Sequence, residues 1–242
     1  MQEVYLYQTV HILGGRSLHL TAHLAVLDRW SRELFGRPAG FRQQPLARQI
    51  EALAAQTAPA DCDLSQFVRI VVPASGDPAF RLESEGISLY RGYDLRSLMP
   101  DAATLQYDMP FPEAPTSARE AAAGLARQQA RLHGASVAVR CDGDGIVRTA
   151  DDAPLFAVRG KTAFVSPAEA CVERELGLRA VEAAGLELEE RPVMRGELPG
   201  FDELFYVDHR GVTALAHCDG HPCMAILAER VAQSLGGLFP KM

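Results

Sequence analysis

His217, Cys218, His221 and Cys223 form the stretch HCDGHPC, the densest group of soft-metal ligands in the chain. Imidazole and thiolate are donors that zinc prefers, so one reading is a structural metal site. The other reading is a hairpin turning at Asp219-Gly220 whose His and Cys are incidental. On a strand His217 and Cys218 face opposite sides, so convergence of all four is not expected. The spacing matches no standard finger pattern. Asp142, Asp144, Asp151 and Asp152, in CDGDGIVRTADD, lack the glycine and closing glutamate of a calcium loop, and Asp/Gly turn chemistry accounts for them. His19 and His23 bracket Thr21, a candidate helix cap. They read either as paired catalytic histidines or as buried, hydrogen-bonded structural ones. Arg69, Arg91, Arg96 and Arg119 offer guanidinium forks that grip carboxylate or phosphate bidentately. The alternative for each is a solvated surface arginine. No Gly-x-Ser-x-Gly, P-loop or dinucleotide fingerprint occurs.

Amine chemistry is confined to two residues. Of 24 Lys and Arg, only Lys161 and Lys241 are lysines. A lysine becomes a covalent catalyst by forming an imine with a carbonyl, which needs the neutral amine. Lys161 stands in Arg-Gly-Lys, a predicted hairpin turn, where that role would require burial.

These residues must be positioned by two expected domains. MPFPEAPTS, residues 109–117, reads as a crossover linker, because its prolines continue neither helix nor central strand. The expected domains are 1–112 and 113–242. EVYLYQTVHIL and RSLHL flank Gly14-Gly15 as a hairpin. AHLAVLDRWSRELFG has apolar residues at helical spacing, with Thr21 as its cap and Gly36 as its stop. QPLARQIEALAAQ is a second helix, FVRIVVPA a buried strand, and TLQYDMP the last strand before the linker. SAREAAAGLARQQARLHG is the next helix. After it come hairpins in ASVAVRCDGDGIVRT, PLFAVRGKTAFVSP and GVTALAHCDGHPCM, a helix over 168–184 and a closing helix in MAILAERVAQSL. Helices mixed with antiparallel hairpins predict an α+β fold.

This order resembles the class IV aminotransferases, the fold-type IV pyridoxal phosphate (PLP) enzymes that include branched-chain and D-amino-acid aminotransferases and aminodeoxychorismate lyase. YQTVHILGGRSLHLTAHLAVLDRW resembles their opening hairpin and helix. GLARQQARLHGASVAVRCDGDGIVRT, LFAVRGKTAFVSP, GLELEERPV and DELFYVD resemble the rest. The resemblance implies a two-domain, D-amino-acid aminotransferase-like architecture and a homodimer. It also places the family's functional positions on substituted residues. The Schiff-base lysine falls at Thr116, so no catalytic residue carries over. The glutamate that pairs with the pyridine nitrogen falls at Thr149, with Asp151 two residues on. The phosphate arginine falls at Val26, with Arg29 nearby. The Gly-Ile-Thr phosphate loop falls at Cys171-Val172-Glu173, where Glu173 puts negative charge at a helix end that favours anions.

The functional expectation is a degenerate class IV protein without covalent PLP catalysis. It either binds a small anionic metabolite in an inter-domain cleft, with Arg69, Arg119 and Asp151 as candidate ligands, or acts as a non-catalytic partner. No cofactor is expected, and PLP only noncovalently if at all. One alternative is an active aminotransferase or 4-amino-4-deoxychorismate lyase-like enzyme using noncovalent PLP. Another is a metal protein built on HCDGHPC. The net charge of −7 argues against nucleic-acid binding, which needs a basic face. No apolar run reaches the ~18 residues of a membrane span. No signal peptide is visible, the expected location is cytoplasmic, and the thiols are expected to be reduced.

Overall fold

The computed structural model describes residues 3–57, 64–90, 92–96 and 98–238. Cys62, Arg91 and Lys241 lie outside the described residues. The chain forms two compact units, Met1–Gly92 with Glu113–Glu120, and Tyr93–Pro112 with Ala121–Lys241.

The first unit is an antiparallel sheet covered by two helices. Its strands are β1 (Tyr5–Leu13), β2 (Arg16–Ser17), β3 (Ser65–Pro73) and β4 (Arg81–Ser88), in the order β2-β1-β3-β4. Gly14 and Gly15 take φ of 56° and 72°, the positive values a two-residue hairpin turn demands, and Leu13 pairs with Arg16 across it. Side chains alternate along β1 and β3, so Leu6, Val10, Ile12, Val68, Ile70 and Val72 share one apolar face. Helices α1 (Leu20–Phe35) and α2 (Gln43–Thr57) close that face with Leu24, Leu27, Trp30, Leu46 and Ile50. Gly36, at φ 65°, ends α1 as expected. The helix begins before Thr21, however. His19, in the left-handed region, is its N-cap, so Thr21 lies inside the first turn.

The second unit is a larger mixed sheet. It contains β5 (Leu95–Arg96), β6 (Asp101–Gln106), β7 (Val137–Cys141), β8 (Val147–Ala150), β9 (Ala153–Arg159), β10 (Thr162–Val165), β11 (Glu187–Glu190), β12 (Glu203–Asp208), β13 (Gly211–Ala214), β14 (His217–Cys218) and β15 (His221–Pro222). The main path runs β15-β14-β6-β7-β8-β9-β12-β13-β5, and β10 and β11 extend it from β9. Helix α3 (Ser117–Leu132) joins this unit from Ala121 onward, followed by α4 (Val172–Ala183) and α5 (Ile226–Gly237). Hairpins dominate, while β6–β7, β14–β6, β10–β11 and β13–β5 pair in parallel. The α+β expectation holds. The sequence alone places the division after residue 112. Residues 93–112 fall in the second unit because β5 pairs with β13, and β6 with β7 and β14, whereas 113–120 fall in the first. The last strand before the proline stretch is Asp101–Gln106, earlier than TLQYDMP suggests.

Glu203 ties β12 to α5. It is 1% exposed, and its carboxylate accepts the Leu227 N–H at 2.9 and 3.0 Å and the Ala228 N–H at 2.9 Å. The N-cap residue, Ala225, has no side chain able to do this. We expect Glu203→Ala to cost about 2 kcal/mol, read as a lower urea midpoint, because it orphans N–H groups in the first turn of α5. Among the described residues no helix is long and apolar enough to cross a membrane.

Candidate functional site

Thr116, the expected lysine position, is the N-cap of α3. It is 6% exposed, its Oγ1 accepts the Arg119 N–H at 3.2 Å, and its carbonyl accepts the Glu120 N–H at 3.1 Å. A hydroxyl so engaged serves the helix start and carries no amine. Lys161 sits on the exposed turn between β9 and β10, where its backbone carbonyl accepts the Glu187 N–H at 2.9 Å. Val26 packs half-buried against the apolar core of the first unit. Exposed Arg29 lies over the Trp30 ring, with its guanidinium carbon 5.0 Å from the centroid.

The second unit gathers a polar cluster around Arg96. Arg96 is 8% exposed on β5. Its Nε donates to Thr213 Oγ1 at 2.6 Å, and one Nη donates to Asp208 Oδ2 at 3.0 Å and to the Tyr206 hydroxyl at 3.3 Å. The register explains the meeting, since Thr213 and Arg96 are partners across the parallel β13–β5 pair. Asp208 ends β12 and also accepts the Arg210 N–H at 2.8 Å. Burial pushes its carboxyl above the ordinary range although Arg96 opposes the shift.

Thr149, on β8, pairs with Arg140 and Pro154 in the ladder. Asp151 and Asp152 follow at φ 48° and 71°, which aims Asp151 at Arg127, 3.3 Å away. Burial raises the Asp151 carboxyl, Arg127 opposes, and Asp208 adds to the rise. At the start of α4, Cys171 is an N-cap whose side chain does not cap the helix, Val172 is buried, and Glu173 and Glu175 occupy the first turn. Tyr93 is raised by burial and further by the charges of Glu173 and Asp208. Asp151, Glu173 and Asp208 therefore share one electrostatic neighbourhood, and the guanidinium of Arg96 inside it is already held by Asp208. A phosphate dianion brought there would meet carboxylates rather than open cations.

The arginines expected to take a ligand are otherwise engaged. Arg69 pairs with Glu85 at 2.6 Å and Glu120 at 2.7 Å, and stacks on Tyr7 at 4.6 Å. Burial and a 2.7 Å hydrogen bond to Glu120 push the Tyr5 phenol up to about 12. Arg119 donates to the Glu113 carbonyl at 3.4 Å. His23 is buried and meets Gln8 Oε1 at 2.8 Å, in keeping with a structural role.

The metal-binding alternative is not supported. Among the described residues no group of three or more His, Cys, Asp or Glu could hold a metal ion. In HCDGHPC, His217 is exposed and pairs with Asp101 at 2.7 Å, while Cys218 is buried on the opposite face. His221 is exposed, and the Cys223 thiol reaches the His221 carbonyl at 3.8 Å. Burial lifts the Cys218 thiol to about 12, unlike a ligand thiolate. Asp142 builds an Asx turn of the kind its Asp/Gly setting suggests, accepting the Asp144 and Ile146 N–H groups at 3.1 and 2.9 Å. The sequence reading named Arg96 but missed Tyr206, Asp208 and Thr213. An acid ending the otherwise buried run ELFYV is the one local hint.

An amino-transferase class IV family model matches residues 5–208. No curated protein sequence matches the chain. Similar solved structures include the branched-chain amino acid aminotransferase from Escherichia coli, 16% identical with a TM-score of 0.75, covering 98% of this chain and 85% of that one. An aminotransferase from Brucella abortus bound to the cofactor PLP is 19% identical, with a TM-score of 0.76 and coverage of 96% and 88%. A hypothetical aminotransferase from Mycobacterium tuberculosis, in its alpha-ketoglutarate and PMP bound form, is 16% identical, with a TM-score of 0.75 and coverage of 96% and 88%. At these identities the likeness is one of fold.

Proposed function

The chain belongs to the class IV aminotransferase family, and we propose that it is a member that has lost covalent PLP catalysis and serves as a non-catalytic, metabolite-binding or partner protein. The observation that carries this reading is Thr116, a buried helix cap where the family resemblance calls for an amine. An imine needs a neutral amine beside the aldehyde, and Lys161 stands on a solvent-facing turn instead. The residues present do not fit the cofactor in a second respect. Its phosphate prefers helix N-termini and unpaired guanidinium groups, yet the α4 start carries Glu173 and Glu175, and Arg96 is committed to Asp208. Val26, packed in apolar core, supplies no charge. The reading includes the family's homodimer and a cytoplasmic location.

Purified protein mixed with PLP tests it. The expected result is no imine absorbance, no borohydride-trapped lysine peptide, and no change in melting temperature with millimolar PLP. A ligand at ~100 times its Kd would add about 2.7 kcal/mol, a shift of several degrees. A stoichiometric adduct on Lys161 or Lys241 at micromolar PLP would overturn the proposal. Saturable stabilisation without an adduct would leave a noncovalent PLP protein and refute the loss of the cofactor.

A further inference from the structure

We propose that a polar cavity in the second unit binds a small oxyanion, a carboxylate or a phosphate monoester, through Arg195 with His133 and His217. The cavity has a volume of about 470 Å³, and its wall includes Asp101, Thr104, His133, Arg195, His217 and Asp219. That size is typical of small-molecule sites, which run ~300–1,000 Å³. Strand β6 forms its floor, and the residues just beyond the end of α3 supply His133. The β14–β15 hairpin supplies His217 and Asp219, and the short 3-10 turn Arg195–Gly200 supplies Arg195.

The charges on the wall decide the ligand class. Its carboxylates are both committed. Asp219 accepts the Thr104 N–H at 2.8 Å and the Thr104 hydroxyl at 2.5 Å. Its backbone is held at φ 49° at the hairpin tip, beside Gly220 at 81°, so the turn itself fixes the carboxylate on Thr104. Asp101 is bound to His217 Nδ1 at 2.7 Å. The basic groups are less occupied. Arg195 is 48% exposed and approaches Asp219 only to 4.0 Å, beyond hydrogen-bonding distance. With Nδ1 engaged by Asp101, the remaining ring nitrogen of His217 is left for a ligand. An anion can therefore take both edges of the Arg195 guanidinium with His133 beside it, and the second ring nitrogen of His217 adds a donor when that ring carries both protons. A cation would have to displace Thr104 or His217 from a carboxylate first. The cavity wall includes none of Thr116, Asp208 and Glu173, so the assignment does not depend on whether the chain binds PLP.

Calorimetric titration of the full chain with inorganic phosphate, and separately with succinate, tests the assignment. We expect saturable binding of at least one probe, weakened about ten-fold or more by Arg195→Ala. Binding of phosphate alone identifies the phosphate class, and binding of succinate alone the carboxylate class. Arg16→Ala, a change in the other unit, should leave affinity unaltered. Should Arg195→Ala lose the native melting transition, His133→Ala provides the second variant, with a smaller expected loss. No saturable heat from either probe up to tens of millimolar overturns the proposal. So does affinity that survives the cavity variants unchanged or falls equally in Arg16→Ala.

Discussion

Arg96→Ala should lower stability by about 3–5 kcal/mol at neutral pH, read as a fall in the urea midpoint. Arg96 makes hydrogen bonds to Thr213, Tyr206 and Asp208 from a position 8% exposed. A buried ion pair contributes little against an apolar replacement of both partners, because each charge loses its water. Removing one partner is different, since it strands the other. Here Asp208 would keep only the Arg210 backbone N–H and would feel Asp151 more strongly. Asp208 is already raised above its ordinary value of 3.8, chiefly by burial. An acid raised by folding binds its proton more tightly in the native state. Its contribution is complete below the unfolded value and is lost as pH rises through the folded value. Removing Arg96 pushes that folded value higher, so the deficit of the variant should widen from about pH 5 to pH 7. Asp208→Asn in the Arg96→Ala background should recover part of the loss and remove the widening. A loss below about 1 kcal/mol, the same at both pH values, would show that the network is incidental.

Why this network stayed hidden in the sequence follows from separation along the chain. Arg96 meets Asp208 and Thr213 across 112 and 117 residues, and nothing local marks the encounter. Strand β5 has only two residues, too short to leave a period, and it exists because β13 offers it a parallel edge. Pairing across the chain likewise decides which compact unit residues 93–112 join, and no local signal carries that information. Local signals fared better. Gly14-Gly15 carried the positive φ of a hairpin turn, and Gly36 closed α1 with the left-handed conformation glycine tolerates. The HCDGHPC stretch shows strand alternation outweighing composition, as its sequence suggests. Its ligand types cluster in sequence, but strand alternation turns Cys218 into the core and His217 to solvent. The family resemblance supplied what periodicity could not, an order of elements that the structure follows from the opening hairpin to β12.

Gly211→Ala should cost about 3 kcal/mol or more, for reasons that return to Arg96. Gly211 starts β13 at φ 128°, a conformation that side-chain-bearing residues avoid. A Cβ there would lie 2.5 Å from the Asp94 carbonyl oxygen and 3.2 Å from the Tyr93 carbonyl carbon. Those are backbone atoms and cannot swing aside as a flexible side chain would. The relief available is for the segment carrying β5 to draw back, which breaks the pairing of Val212 with Leu95 and Thr213 with Arg96. The same close approach therefore permits the sheet edge and delivers the guanidinium to Asp208. Both substitutions damage one object, so their effects should not add. In the Arg96→Ala background, Gly211→Ala should cost less than in the wild type, by about 0.5–3 kcal/mol of coupling. Strict additivity in chemical denaturation would mean that the glycine serves only the turn, and that Arg96 finds Asp208 without the strand that carries it.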